Sequence, residues 1–219
     1  MSLAEWQRAL AAAVTAPTAA RVGQDDPGLA LTRMLQRNWR YTRLTHALPL
    51  TMRALSRDER DELLARYCDT CPCVSFFPVH EARSFAGFLA GLPLRSPHLA
   101  SIAAMEVAMI DAFEAGVFGD AASPRTDAGG PLRLAVGASR VRFAASPGRV
   151  LSAALAGGEL PATDAADHEL LVAPGIAGLA RAPTADERRV LDECERGEPT
   201  GPADVVAALL AEQVLARAS

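Results

Sequence analysis

Lysine is absent from this 219-residue chain; all 22 of its basic residues are arginine. That excludes a phosphate loop of the Gly-x-x-x-x-Gly-Lys-Ser/Thr kind, and with abundant Ala, Gly and Pro it fits a GC-rich coding sequence. A Gly-x-Ser-x-Gly elbow and a His-Glu-x-x-His metal helix are also missing, so the chain is expected to be non-catalytic. No apolar run reaches the ~18 residues of a membrane span. The N-terminus lacks the basic start, apolar centre and small-residue cleavage site of a secretory signal, which predicts a cytoplasmic protein with no membrane partner. Excess positive charge is lacking too: at a formal net charge of −4, any nucleic-acid contact would need a local patch. The four cysteines, three of them bunched, do not resemble the spread framework of a disulfide-stapled domain and are expected to be free or metal-bound. What the chain does have is 50% hydrophobic residues, enough for one large or two small cores.

The N-terminal part has helical periodicity throughout. Ser2-Leu-Ala-Glu5 is a capping box that starts a helix to about Val14, with Leu3, Trp6 and Leu10 on one face. Residues 15–26 form a loop, and Asp26-Pro27 opens a long helix to about His46. On it Arg33, Arg37, Arg40 and Arg43 share one flank, roughly opposite Leu31, Leu35, Asn38 and Thr42. Such a stripe is expected to be a solvated face, its alternatives being contact with an acidic partner or a phosphate backbone. Pro49 starts a new short helix through Ala54, and Ser56-Arg-Asp-Glu59 caps a helix to about Tyr67 with Leu63 and Leu64 inward. Cys68 to His80 is irregular. Ala82 to Leu92 forms a short helix through Phe85, Phe88 and Leu89, and Pro97 begins a long one through Val117, with Leu99, Ile102, Ala103, Met109, Ile110 and Phe113 inward.

Residues 119–130 read as a linker, dividing the chain into a helical bundle domain, 1–118, and a second domain, 131–219. Past it the period becomes two: Leu132, Leu134 and Val136, then Val141 and Phe143, predict two strands around Gly137. Ser146-Pro147 starts a helix stopped at Gly157-Gly158, and Pro174-Gly175 turns a hairpin of Glu169–Ala173 with Ile176–Ala182. Thr184-Ala-Asp-Glu187 is a third capping box, on a helix ending at Gly197. A last helix is expected from Pro202 to about Ala218. The fold class is therefore α+β: an N-terminal helical bundle, then a small winged-helix-like module with short antiparallel strands.

The remaining chemistry is sparse. Cys68-Asp-Thr-Cys71-Pro-Cys73 with His80 seven residues on could surround one soft ion, but no second Cys-x-x-Cys completes the pattern, and reduced thiols in a loop are expected. His46, His80, His98 and His168 are scattered. Glu106 lies on or near an apolar helix face and is expected to be a hydrogen-bonded structural residue. The hairpin edge could accept an extended peptide as an added strand, which singles out Glu169, Leu170, Leu171, Val172, Ile176, Leu179 and Arg181.

The order of motifs along Leu31–Val117 resembles the HvfC/BufC family, long labelled a DNA-binding domain. The shared features are the Asn38, Arg40, Tyr41 and Arg43 group, the Leu48-Pro49-Leu50 break, the Phe-rich helix and the Pro-led final helix. The stretch from His168 through Gly197 also matches the family tail, where a Leu-Leu-Val strand precedes a capped helix ending in Gly. The resemblance implies a peptide-recognition-like second domain and an obligate, non-catalytic subunit in a heterodimer with an MbnB-type TIM-barrel iron oxidase. Such a subunit binds the leader of a ribosomal precursor peptide and positions its cysteines for O₂-dependent conversion to oxazolone and thioamide groups, as in methanobactin biosynthesis. Iron and its ligands would lie in the partner, leaving this chain without a cofactor, catalytic residues or metal ligands. Asn38, Arg40, Tyr41, Arg43, Leu48, Pro49 and Leu50 would shape the surface between subunits. The alternatives are a DNA-binding regulator using the C-terminal helices, against which the last expected helix offers only Arg217 as a basic residue, and a metal-binding accessory protein built on the cysteine loop.

Overall fold

A computed structural model describes residues 2–15, 27–73, 75–118, 130–197 and 201–217, and among them the chain is mixed helix and strand. Contacts divide it into two compact units: Met1–Ala103 with Ala154–Glu159, and Ala104–Ala153 with Leu160–Ser219. The expected linker, except Gly130, lies outside the described residues.

The first unit holds α1 (Leu3–Thr15), α2 (Pro27–Ala47), α3 (Pro49–Ala54), α4 (Arg57–Thr70), α5 (Pro78–Ala90) and the start of α6 (His98–Phe118). The local signals for these helices are realised in atomic detail. The Ser2 amide donates to Glu5 Oε2 at 2.6 Å and the Glu5 amide to Ser2 Oγ at 3.2 Å, the reciprocal pair of a capping box. Ser56 Oγ accepts from the Glu59 amide at the start of α4. α5 begins at Pro78, a turn earlier than the apolar spacing predicts, because a first-turn proline suits a helix start. The core gathers Leu44, Leu48, Met52, Leu64, Tyr67, Phe85 and Leu89, with Tyr67 meeting Phe85 edge to face at 5.0 Å between centroids.

The second unit contains the rest of α6, β1 (Leu132–Leu134), β2 (Ser139–Phe143), most of α7 (Pro147–Ala156), β3 (His168–Val172), β4 (Ala180–Arg181), α8 (Ala185–Arg196), α9 (Ala203–Ala211) and β5 (Leu215–Arg217). One finding adds to the sequence expectations and two correct them. First, the two strands expected around Gly137 are both present, and they do not pair with each other. β1 pairs antiparallel with β5, Leu132 opposite Arg217, while β2 joins a three-stranded antiparallel sheet of order β2-β3-β4. The turn between β1 and β2 holds Gly137 at φ 79°, so close to α6 that a Cβ there would sit 2.5 Å from that of Ala115. Second, the last helix stops at Ala211. Gln213 takes φ 55°, and the reversal returns Val214 and Leu215 to the core so that β5 can reach β1. Third, the hairpin turn is longer than Pro174-Gly175: it runs to Leu179, itself at φ 67°, and leaves β4 only two residues. Gly175 seats on the end of α9, its amide donating to the Glu212 carbonyl at 3.1 Å.

On α6, Leu99, Ile102, Ala103, Met105 and Glu106 are buried, but Phe113, expected inward, is exposed. In the second unit, Leu171, Ala173, Ile176, Val190, Leu191, Leu209, Val214 and Leu215 form one cluster. The Thr184–Glu187 capping box is complete, and Gly197 closes α8 at φ 82°. Among the described residues no helix is long and apolar enough to cross a membrane.

Candidate docking surfaces

The two faces of α2 are the reverse of what an arginine stripe suggests. A helix end leaves unpaired carbonyls, and the last turns of α1 and α4 contain no basic residue to meet them. α2 supplies donors from the side, Arg33 at the end of α1 and Arg40 at the C-cap of α4, while Arg37 and Arg43 reach other carbonyls. Arg33 donates through Nε and Nη2 to the Ala13 carbonyl at 3.0 and 2.9 Å. Arg37 reaches the Ala65 carbonyl at 3.3 Å and Asp69 Oδ1 at 3.1 Å, and Arg43 donates to the Ser75 carbonyl at 2.7 Å.

Arg40, only 3% exposed, occupies the centre of this row. It donates to Glu81 Oε1 at 2.7 Å and to the Cys71 carbonyl at 2.8 Å, with its guanidinium 4.4 Å above the Tyr67 ring. The Tyr67 hydroxyl donates to the same Glu81 oxygen at 2.8 Å, and Arg43 lies 3.7 Å from the other. Burial works against the Arg40 charge, but nearby Cys68 and Glu81 more than offset it and hold its pKa above the ordinary guanidinium value. Burial likewise pushes the Tyr67 and Cys68 protons toward retention. The stripe is therefore an internal staple holding α1, α4 and the start of α5 to α2.

Of the residues expected at a subunit surface, Arg40, Arg43 and Leu48 are interior. Asn38 and Pro49 are exposed, and Tyr41 and Leu50 are half-buried. The outward face of α2 carries Leu31, Met34, Leu35 and Trp39, with Asn38, Thr42 and His46 among them, all exposed. Leu3, Trp6 and Leu10 of α1 are exposed as well. Between the helices runs a groove of about 320 Å³, lined by Trp6, Leu10 and Ala13 from α1 and Gly28, Leu29 and Thr32 from α2. The spacing that puts these apolar residues on one face is legible in the sequence; their exposure is not.

A second apolar feature is the turn before α5. Ser75 Oγ accepts from the Phe77 amide at 3.1 Å and lies 2.8 Å from His80 Nδ1, while the Ser75 carbonyl takes the Arg43 hydrogen bond. This holds Phe76 and Phe77 out in solvent. Cys68, Cys71 and Cys73 are free thiols beside it, and among the described residues no three His, Cys, Asp or Glu side chains are grouped to hold a metal ion.

In the second unit the expected peptide edge is displaced. Leu171 is fully buried and β3 lies between β2 and β4, so the Glu169–Ala173 strand is not a free edge. Glu169, Val172 and Ile176 are also buried, and Leu170, Leu179 and Arg181 are half-buried. Two ion clusters tie this sheet to the helices. Arg140 of β2 meets Glu169 at 2.6 Å, Asp192 at 2.7 Å and Glu195 at 2.9 Å. Arg181 meets Glu187 at 2.5 Å and also Glu212. The hydrogen bond from Arg181 holds the Glu187 carboxyl down at about 2, against an ordinary value of 4.5. The longer free edge belongs to β2, whose outer side pairs with no strand among the described residues.

Comparison with known proteins finds no matching family model, no similar curated protein and no similar solved structure.

Proposed function

We propose that this chain is the non-catalytic partner subunit of an MbnB-type TIM-barrel iron oxidase and presents a ribosomal precursor peptide to it for oxidation in methanobactin-type biosynthesis. The resemblance in Leu31–Val117 and His168–Gly197 supplies the identity of the partner. The observation that carries the peptide-binding part is the five-residue β2 strand, Ser139–Phe143, with one edge free among the described residues. An extended peptide can add to such an edge, gaining affinity from main-chain hydrogen bonds and selectivity from alternating side-chain sites. The leader strand is therefore assigned to β2 rather than to the hairpin. Asn38, Tyr41, Pro49 and Leu50, the accessible members of the family motif, are kept as the oxidase contact. The winged-helix-like architecture belongs to the same proposal.

Duplex recognition is the weaker reading, since α9, Ala203–Ala211, carries no basic residue to meet phosphates or base edges. The test is hydrogen exchange on the co-expressed pair, with and without precursor peptide. Protection should rise across residues 139–143, and the affinity should depend only weakly on salt. Failure of the pair to co-purify, or no peptide affinity together with duplex binding that weakens steeply between ~50 and ~200 mM salt, would sink the proposal.

A further inference from the structure

We infer that the outer face of α1 and α2 is a self-association surface, and that two copies of this chain pack it face to face as a symmetric dimer. Three observations converge on that face. Both tryptophans of the chain lie on it, Trp6 48% and Trp39 62% exposed, and tryptophan is the side chain that most often anchors an interface. With Leu3, Leu10, Leu31, Met34 and Leu35 they leave on the order of 800 Å² of mostly apolar surface, which matches one partner's share of a standard interface. The groove beside Trp6 gives the other copy a recess to fill.

Charge selects the occupant. Across a two-fold axis a surface meets its own copy, so a face of one charge sign repels itself. This chain has 22 arginines and 26 acidic residues, yet the exposed stripe of α2 from Leu31 through His46 contains no Asp, Glu or Arg. The four arginines of that helix beyond Leu31 reach acceptors within the unit, Arg43 with its guanidinium 5.5 Å from the Trp39 ring centroid. A mostly apolar face of dimer size, whose α2 stripe carries no Asp, Glu or Arg, suits a second copy without a complementary partner charge.

The experiment is sedimentation equilibrium of the full chain with tryptophan emission followed over the same concentrations. At concentrations on the order of 10 µM the mass should be twice the 23.0 kDa of one chain, with emission shifting to the blue as the dimer forms. Leu35→Glu places a like charge on each copy at an already exposed position. It should weaken association at least a hundredfold, with unchanged circular dichroism. Leu31→Glu should do the same. A wild-type chain that stays monomeric at about 100 µM overturns the inference, as does a dimer indifferent to both substitutions. If the wild type is monomeric and Leu35→Glu instead abolishes oxidase binding, the face belongs to that partner. Peptide-induced protection at residues 139–143 is read in the other unit, so failure of the dimer is distinguishable from failure of the proposed function.

Discussion

Replacing Arg40 with Met separates a solvated arginine stripe from an internal staple. Methionine keeps an unbranched apolar stem against the Tyr67 ring but removes the charge. The loss strands Glu81, whose side chain is 3% exposed and which accepts from Arg40 at 2.7 Å. Breaking a buried pair by removing one member costs about 3–5 kcal/mol, because the surviving charge stays buried without compensation. Glu81 keeps the Tyr67 hydroxyl at 2.8 Å and Arg43 at 3.7 Å, which pulls the cost toward the lower end. The Cys71 carbonyl loses its donor as well, worth about 1 kcal/mol. The expected loss is about 4 kcal/mol of unfolding free energy, measured by urea titration. Tryptophan fluorescence is the right probe, since Trp6 and Trp39 both belong to the unit being perturbed. Arg33→Met should cost only about 1 kcal/mol, because it removes one carbonyl contact at the half-buried Ala13. Arg40→Met with Glu81→Leu should recover at least half the single-variant loss, as both charges leave together. A cost below about 1 kcal/mol for Arg40→Met, equal to that of Arg33→Met, would refute the staple and return Arg40 to the surface.

Two further outcomes follow from the ion clusters and the thiols. Glu187 has its folded pKa lowered to about 2, so its stabilisation is complete above about 4.5 and is lost as pH falls toward 2. The stability gap between wild type and Glu187→Gln should therefore shrink by roughly 2 kcal/mol from pH 6 to pH 2, below the full linkage value because Arg181 is 29% exposed; a gap that stays constant contradicts the pairing. The triple variant Cys68→Ser, Cys71→Ser, Cys73→Ser should keep its fold and partner binding, because the Arg40 staple uses the Cys71 carbonyl rather than a thiol. Stoichiometric zinc in the purified wild type, with a large fall in melting temperature on chelation, would reverse that expectation.

Local chemistry made much of this protein legible in its sequence. Ser2 with Glu5 and Thr184 with Glu187 form the reciprocal bonds their spacing predicts, Ser56 caps α4, and Gly197 stops α8, because each signal acts within one turn of chain. That no helix among the described residues is long and apolar enough to cross a membrane likewise follows from run length. What only the tertiary structure decided is which partner each face meets. α2 has an apolar side and an arginine side, and periodicity marks both, but the arginines turn inward, where Arg33 and Arg40 meet carbonyls at the ends of α1 and α4 and Arg40 meets the buried Glu81. Val214 and Leu215 continue the helical spacing of α9, yet Val214 leads into β5 and Leu215 begins it, since among the described residues β1 pairs with β5 alone and Gln213 takes the reversal at φ 55°. Leu171 alternates like an edge residue but lies in the middle strand, because β2, more than two dozen residues earlier, closes its other side. Sequence pattern fixes period and polarity within a segment. Pairing across segments is a competition among distant hydrogen-bonding groups, and only the folded chain settles it.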